Sequence, residues 1–274
     1  MSSKVNYGKY RVNTKGLVFR VDGYSDRSYD HNTEYWRDLC TSGFDVKLQN
    51  SGLYDSTSGY YKFRKGATNT YGAISGSDFS GLRSMGVFKD KDSSFTIETF
   101  FQVKTGVGTS PDNGSVIFGN TDHNKSGYSY GFVGLTGEGG GVSGLNAVLA
   151  SNREDDDNNN PWTGITGSLF SHTGSSTMSA DTFYHAAMTY NANDGMTVGY
   201  VDGVAKSSGS FPASGEELHK ASGSSNYHQF FIGGNNSSGL NVDVGMASCY
   251  NRALSSGEVL GNCKAVKHRY GGGY

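Results

Sequence analysis

Carboxylates are the side chains of this sequence with the most to offer chemistry, and their spacing decides what they can do. Breaking a glycosidic bond takes two acids held about 5 to 9 Å apart across it, which on one strand means positions i and i+2 or i+4. The run FTIETFFQV, Phe95 to Val103, carries Glu98 alone, and the run around Val242 carries Asp243 alone. The dense acidic stretch from Glu154 to Asp157 lies among glycines and asparagines, where a loop lacks the rigidity that catalysis needs. The seven histidines show no zinc spacing, and neither a Gly-x-Ser-x-Gly elbow nor a Cys/His arrangement occurs. His185, inside TFYHAAMTY, reads as a core or hairpin residue rather than a ligand. The expectation is a protein that is not an enzyme.

Binding groups are better supplied. Asp155 and Asp157, with Asn158 to Asn160 beside them, offer the hard oxygens that calcium prefers. Contiguous acids splay outward, however, and the spacing is not that of an EF-hand, so the expectation is a solvated rim and no cofactor, with calcium as the alternative. Aromatic platforms flanked by amides suit glycans, and the candidates are Trp162 beside Asn158 and Asn160, and the pair Tyr128 and Tyr130. Surface tyrosines equally suit a protein interface. The first 15 residues hold Lys4, Lys9, Arg11 and Lys15 with no acid, interleaved with Tyr7 and Tyr10. They read as an attachment arm for an acidic partner surface, or else as a solvated tail.

The elements that must position these groups are strands. Forty-one glycines against 3 prolines, with 18 tyrosines and 15 phenylalanines in 274 residues, describe many strands joined by Gly, Ser and Asn turns. The class is all-β, in one domain over residues 16–271 behind an arm at 1–15. Lys+Arg 23 against Asp+Glu 25 favours neither nucleic acid nor an anionic membrane as partner. No apolar run is long enough to span a bilayer, and the start lacks the apolar core of a signal peptide. Synthesis in a cytoplasm is therefore expected. Cys40, Cys249 and Cys263 read as small buried thiols, a Cys249–Cys263 bridge being the alternative.

Local patterns set further expectations. Leu17, Phe19 and Val21 should share one face of a strand that pairs near the closing one, and FTIETFFQV, apolar on both faces, should be central. Phe63 and Tyr71 to Ile74 should form an edge pair. Residues from Gly137 to Ser179 look least regular. Two Asp-Gly pairs, at Asp194 and Asp202, should close successive hairpins. In the closing segment, Val242, Val244, Met246 and Tyr250 should lie on one strand face. The short C-terminal helix after it should start at a capping box of Ser255 and Glu258 and bury Val259, Leu260, Cys263, Val266 and Tyr270, leaving Lys264, Lys267, His268 and Arg269 to solvent or to the helix dipole.

These stretches carry a resemblance. GLVFRVDG leading to YWRDLCTSGFDVKLQN, then FTIETFFQV, then TFYHAAMTYNANDGMTVGYVDGV, and finally YNRALSSGEVLGNCKAVKHRYG resemble, in order, the opening, central and closing segments of laminin-G-like, concanavalin A-like domains. Cys40 and Thr41 depart from the usual serine and glycine. The resemblance implies a two-sheet jelly-roll sandwich. Its opening and ending take the form found in tailed-phage virion proteins, which implies a non-enzymatic structural protein on the particle surface, a capsid decoration or knob. A tail or fibre subunit, or a carbohydrate-binding module, is the alternative. Implied partners are other virion proteins, copies of itself in a homo-oligomer, and a host-surface glycan.

Overall fold

Alternating apolar and polar side chains, punctuated by Gly, Asn and Ser turns, build two antiparallel sheets here. The computed structural model describes residues 11–29, 34–49, 54–64, 70–74, 76–87, 89–90, 92–104, 116–122, 131–138, 144–149, 151–152, 165–170, 179–210, 217–218, 229–234 and 240–270. The chain begins with β1 (Leu17–Asp22), β2 (Tyr35–Trp36), β3 (Val46–Gln49), β4 (Tyr54–Asp55), β5 (Tyr60–Phe63) and β6 (Tyr71–Ile74), followed by helix α1 (Gly76–Ser84). Next come β7 (Phe95–Val103), β8 (Val116–Asp122), β9 (Gly131–Glu138), β10 (Gly144–Leu149), β11 (Ser151–Asn152) and β12 (Ile165–Phe170). The last third holds β13 (Phe183–Asn191), β14 (Met196–Val201), β15 (Val204–Ser210), β16 (Glu217–Leu218), β17 (Gln229–Ile232) and β18 (Val242–Tyr250). Helix α2 (Ser256–Lys267) and a 3-10 turn (His268–Tyr270) follow.

The first sheet runs β15-β14-β13-β7-β18-β5-β4, with β1 paired along the second half of β18. The second runs β12-β10-β9-β8-β17-β6-β3-β2, and β11 with β16 makes a separate small ladder. Between them lies the core. Phe19 and Phe101 of the first sheet and Phe118 and Phe230 of the second are fully buried in it, and Phe19 meets Phe230 edge-on at 6.3 Å across the gap. The β13, β14 and β15 meander follows the two Asp-Gly turns as expected. Strand β7 lies between β13 and β18 with all nine residues buried, because its outer face is covered as well.

Helix α2 supplies that cover. Ser255 accepts from the Glu258 backbone N–H, and the Glu258 carboxylate accepts from Ser255 N, so the capping box is formed. The buried face is Val259, Asn262, Cys263, Ala265 and Val266, an i, i+3, i+4, i+7 stripe. Leu260 is the correction: it is exposed, lying over the Gly203 turn, and Asn262 takes the inward place. Nor are the cations simply solvated, since Lys267 pairs with Asp202 at 2.7 Å and Arg269 with buried Asp22 at 2.6 Å. Val259→Ala should therefore cost about 2 kcal/mol and Ser255→Ala about 1 kcal/mol, while Leu260→Ala costs under about 1 kcal/mol. Denaturant midpoints of the three variants check that order.

Four further expectations change. A register shift between Val244 and Met246 turns β18 over at Gly245, so Val242, Val244, Ala247 and Cys249 face the core while Met246 and Tyr250 face α2. A shift between Leu17 and Phe19 likewise sends Val18 inward and Leu17 toward the helix cluster. Phe63 and Tyr71–Ile74 are not an edge pair: β5 joins the first sheet and β6 the second. The stretch Gly137–Ser179 contains β10, β11 and β12, whose short, Gly- and Ser-rich sequences carry little alternation. Helix α1 was not legible either. All three cysteines are free, Cys249 and Cys263 standing on opposite sides of the first sheet.

Candidate functional site

Polar residues on the outer face of the first sheet divide into a sealed set and an open one. Under α2, Glu98 of β7 faces His185 of β13, Tyr250 of β18 and Asn262 of the helix, all buried. The Glu98 carboxylate lies 3.3 Å from His185 Nε2 and accepts from the Tyr250 hydroxyl at 3.2 Å and from Asn262 Nδ2 at 3.1 Å. Burial alone would raise the Glu98 pKa, but His185, Arg20 and Asn262 together hold it below the ordinary value. Burial would lower His185, yet Cys263 and Glu98 raise it to about 9. The result is a buried carboxylate–imidazolium pair. Asn262 passes the network outward, its Oδ1 accepting from the Asn13 N–H at 2.7 Å, while Asn13 Nδ2 donates to Glu258.

Beyond the end of α2 the same face opens. Asp22 of β1 is buried and accepts from Arg20 Nη2 at 2.9 Å and Arg269 Nη1 at 2.6 Å, which fastens the 3-10 turn to the sheet. That turn lays Tyr270 over Gly245, where an added Cβ would sit 2.3 Å from the phenolic oxygen; only a residue without a side chain lets the ring approach. Tyr24 rests on Gly59 in the same way. From Tyr24 the rings continue to Tyr270 at 5.2 Å, to Phe183 at a further 5.2 Å, and to Tyr60 at 5.6 Å. Tyr24 is 47% exposed, and Tyr60, Phe183 and Tyr270 are partly so.

Beside this aromatic track lies a polar row. Phe183, Gln102, Asp243 and Lys62 stand opposite one another across β13, β7, β18 and β5. Gln102 Nε2 donates to Asp243 Oδ2 at 2.8 Å, and Arg64 Nη2 pairs with Oδ1 at 2.7 Å. Lys62 pairs with Asp55 at 2.9 Å, and Lys104 pairs with Asp181. Partly exposed rings, bordered by the partly exposed cations Lys62, Arg64 and Lys104, can stack against a pyranose while hydrogen-bonding its hydroxyls. On the second sheet's outer side, Ala73 and Phe231 are buried.

The residues singled out from sequence are distributed differently. Trp162, Asn158, Asn160, Tyr128, Tyr130, Asp155 and Asp157 lie outside the described residues, as do Lys4, Tyr7, Lys9 and Tyr10 of the arm. Arg11 and Lys15 are exposed, and the Lys15 carbonyl accepts from Arg252 Nε at 2.8 Å. Glu98 and Asp243 share a sheet face without meeting. Among the described residues no three metal-ligating side chains converge, and no helix is long and apolar enough to cross a membrane. The aromatic track was missed, although a glycine within a strand run, Gly245, signals close approach by another group.

Comparison with known proteins gives the fold a lineage. The Trypanosoma rangeli sialidase in complex with sialic acid superposes on 94% of this chain with a TM-score of 0.55 at 16% identity. The binding domain of botulinum neurotoxin DC in complex with rat synaptotagmin II covers 89% of this chain with a TM-score of 0.53 at 13% identity, and that of serotype D/C VPI 5993 covers 89% with a TM-score of 0.52 at 14% identity. This chain spans 34% of the sialidase and about half of the toxin domains, 50% and 51%. These likenesses show a shared fold. No curated protein matches the chain. Residues 75–260, well over half of its length, match the laminin G family described as the concanavalin A-like lectin/glucanases superfamily, and the chain belongs to that superfamily.

Proposed function

We propose that the protein is a non-enzymatic, carbohydrate-binding structural module on the surface of a phage particle. The observation that carries the binding role is the partly exposed track of Tyr24, Tyr270, Phe183 and Tyr60, with the partly exposed cations Lys62, Arg64 and Lys104 along one side. The superfamily's lectin-like fold and the sialic acid and receptor complexes of the structural neighbours are consistent with it. A role without catalysis is supported by the state of the acids. Glu98, Asp22 and Asp243 are each buried and bonded within the fold. Asp243 faces Gln102, four residues from Glu98 along β7, and the two carboxylates are committed to separate partners, Asp243 to Gln102 and Arg64, and Glu98 to His185 and Asn262. Placement on a virion rests on the phage-type opening and closing segments; capsid decoration is the first reading, and a tail or fibre subunit the second.

Affinity electrophoresis through gels containing bacterial and algal polysaccharides tests this. At least one should retard the protein, and Tyr24→Ala with Tyr60→Ala should weaken that retention about tenfold, equivalent to about 1.4 kcal/mol. Retention unchanged by both substitutions would move the site elsewhere. Release of reducing sugar that disappears in Glu98→Gln would make the protein an enzyme.

A further inference from the structure

We propose that the sugar taken by the aromatic track carries a carboxylate, an inference that rests on the carbohydrate-binding role above and names its ligand class. Three cations meet at one end of the track. Arg64 lies 2.7 Å and Lys104 3.9 Å from the oxygens of Asp243, and Lys62 stands opposite Asp243 on the neighbouring strand. Asp243 is 1% exposed, whereas the side chains of Lys62, Arg64 and Lys104 are 37%, 34% and 31% exposed. Tyr60 and Phe183 start three strands apart and meet at 5.6 Å beside the Gln102–Asp243 pair, with Phe183 stacked on Phe100 at 4.9 Å. Asp243 is thus the buried charge of the cluster, and the three cations around it are partly exposed.

Asp243, Asp55 and Asp181 balance the three cations in formal charge, but the last two are exchangeable partners. Asp55 pairs with Lys62 and Asp181 with Lys104, and partly exposed pairs of this kind contribute little net stability. A ligand carboxylate can displace either acid cheaply, while Arg64 stays committed to buried Asp243. Lys62 Nζ already lies 5.8 Å from the centre of the Tyr60 ring. A sugar stacked on Tyr60 therefore presents an equatorial carboxylate to Lys62, and one stacked on Phe183 presents it toward Lys104. A neutral sugar could take hydrogen bonds from these ammonium groups but would gain no charge pairing.

The test compares polygalacturonate, alginate and hyaluronate with methyl-esterified polygalacturonate, which keeps the sugar and masks its charge, and with dextran and mannan as neutral probes. At least one polyuronate should bind, should bind more weakly as salt rises, and should lose about tenfold in affinity when esterified or when the protein carries Lys62→Gln with Lys104→Gln. Thermal melting of the double variant should match the parent, since both lysines are surface pairs. Equal binding of the free and esterified polymers, or undiminished binding by the double variant, overturns the proposal. Retention on dextran or mannan without any polyuronate binding overturns the charged ligand and leaves the carbohydrate role standing. Binding to none of these polymers overturns both.

Discussion

Glu98→Ala should lower stability by about 3 to 5 kcal/mol, because it removes one partner of a buried ion pair and leaves the other uncompensated. His185, fully buried, would lose the carboxylate that helps raise its pKa to about 9. Tyr250 would lose its acceptor as well, and Asn262 Nδ2 would keep the Tyr250 hydroxyl at 2.9 Å. Those losses fall on the contact between α2 and the sheet, so the helix should loosen first. The same pair fixes a pH dependence. The Glu98 pKa is depressed below its ordinary 4.5, so its contribution is present above that value and is lost as pH falls through the folded-state pKa. The His185 pKa is raised from 6.5 to about 9, so its contribution is complete below 6.5 and is lost as pH rises through about 9. Stability from this pair should therefore peak between 4.5 and 6.5. Urea unfolding across pH should show a decline toward pH 9 that is absent in Glu98→Gln.

Asp22→Ala should cost a comparable amount, about 3 to 5 kcal/mol, through a different part of the face. Its Oδ2 is the acceptor that Arg20 and Arg269 share, and the side chains of these arginines are 5% and 12% exposed. Arg20 would keep Ser248 as a partner at 3.1 Å. The 3-10 turn would lose the Arg269 link that presses Tyr270 onto Gly245. Glycan affinity should consequently fall under conditions where circular dichroism still shows a folded sandwich. Asp22→Asn, which keeps the shape and loses the charge, should fall between the two. Denaturant midpoints and affinity electrophoresis on the same samples check both halves.

Much of this architecture was legible because period-two alternation and turn chemistry act locally. The meander from Phe183 to Ser210 follows from two Asp-Gly pairs, and Asp202 shows why that motif holds: its Oδ1 accepts from His185 N while its Oδ2 pairs with Lys267. The capping box was equally local. What alternation hides is a change of face. Gly245 turns β18 over, and a pattern read straight through it assigns Met246 and Tyr250 to the wrong side. Asn262 escaped for a related reason: a polar residue reads as solvent-facing on a helical stripe, and its inward place depends on Glu98, which lies 164 residues away. The aromatic track was illegible because Tyr24, Tyr60, Phe183 and Tyr270 come from four separate parts of the chain and meet only across strand pairing.

The location of the binding surface is the centre of this account, and a hydrogen-exchange footprint with a retained polysaccharide at saturation tests it most directly. Protection is expected on the outer face of the first sheet, in the segments bearing Tyr24, Tyr60, Phe183 and Tyr270, with the Lys104 segment joining when the polymer is a polyuronate. Protection confined to the second sheet, or to segments remote from these rings, would contradict it.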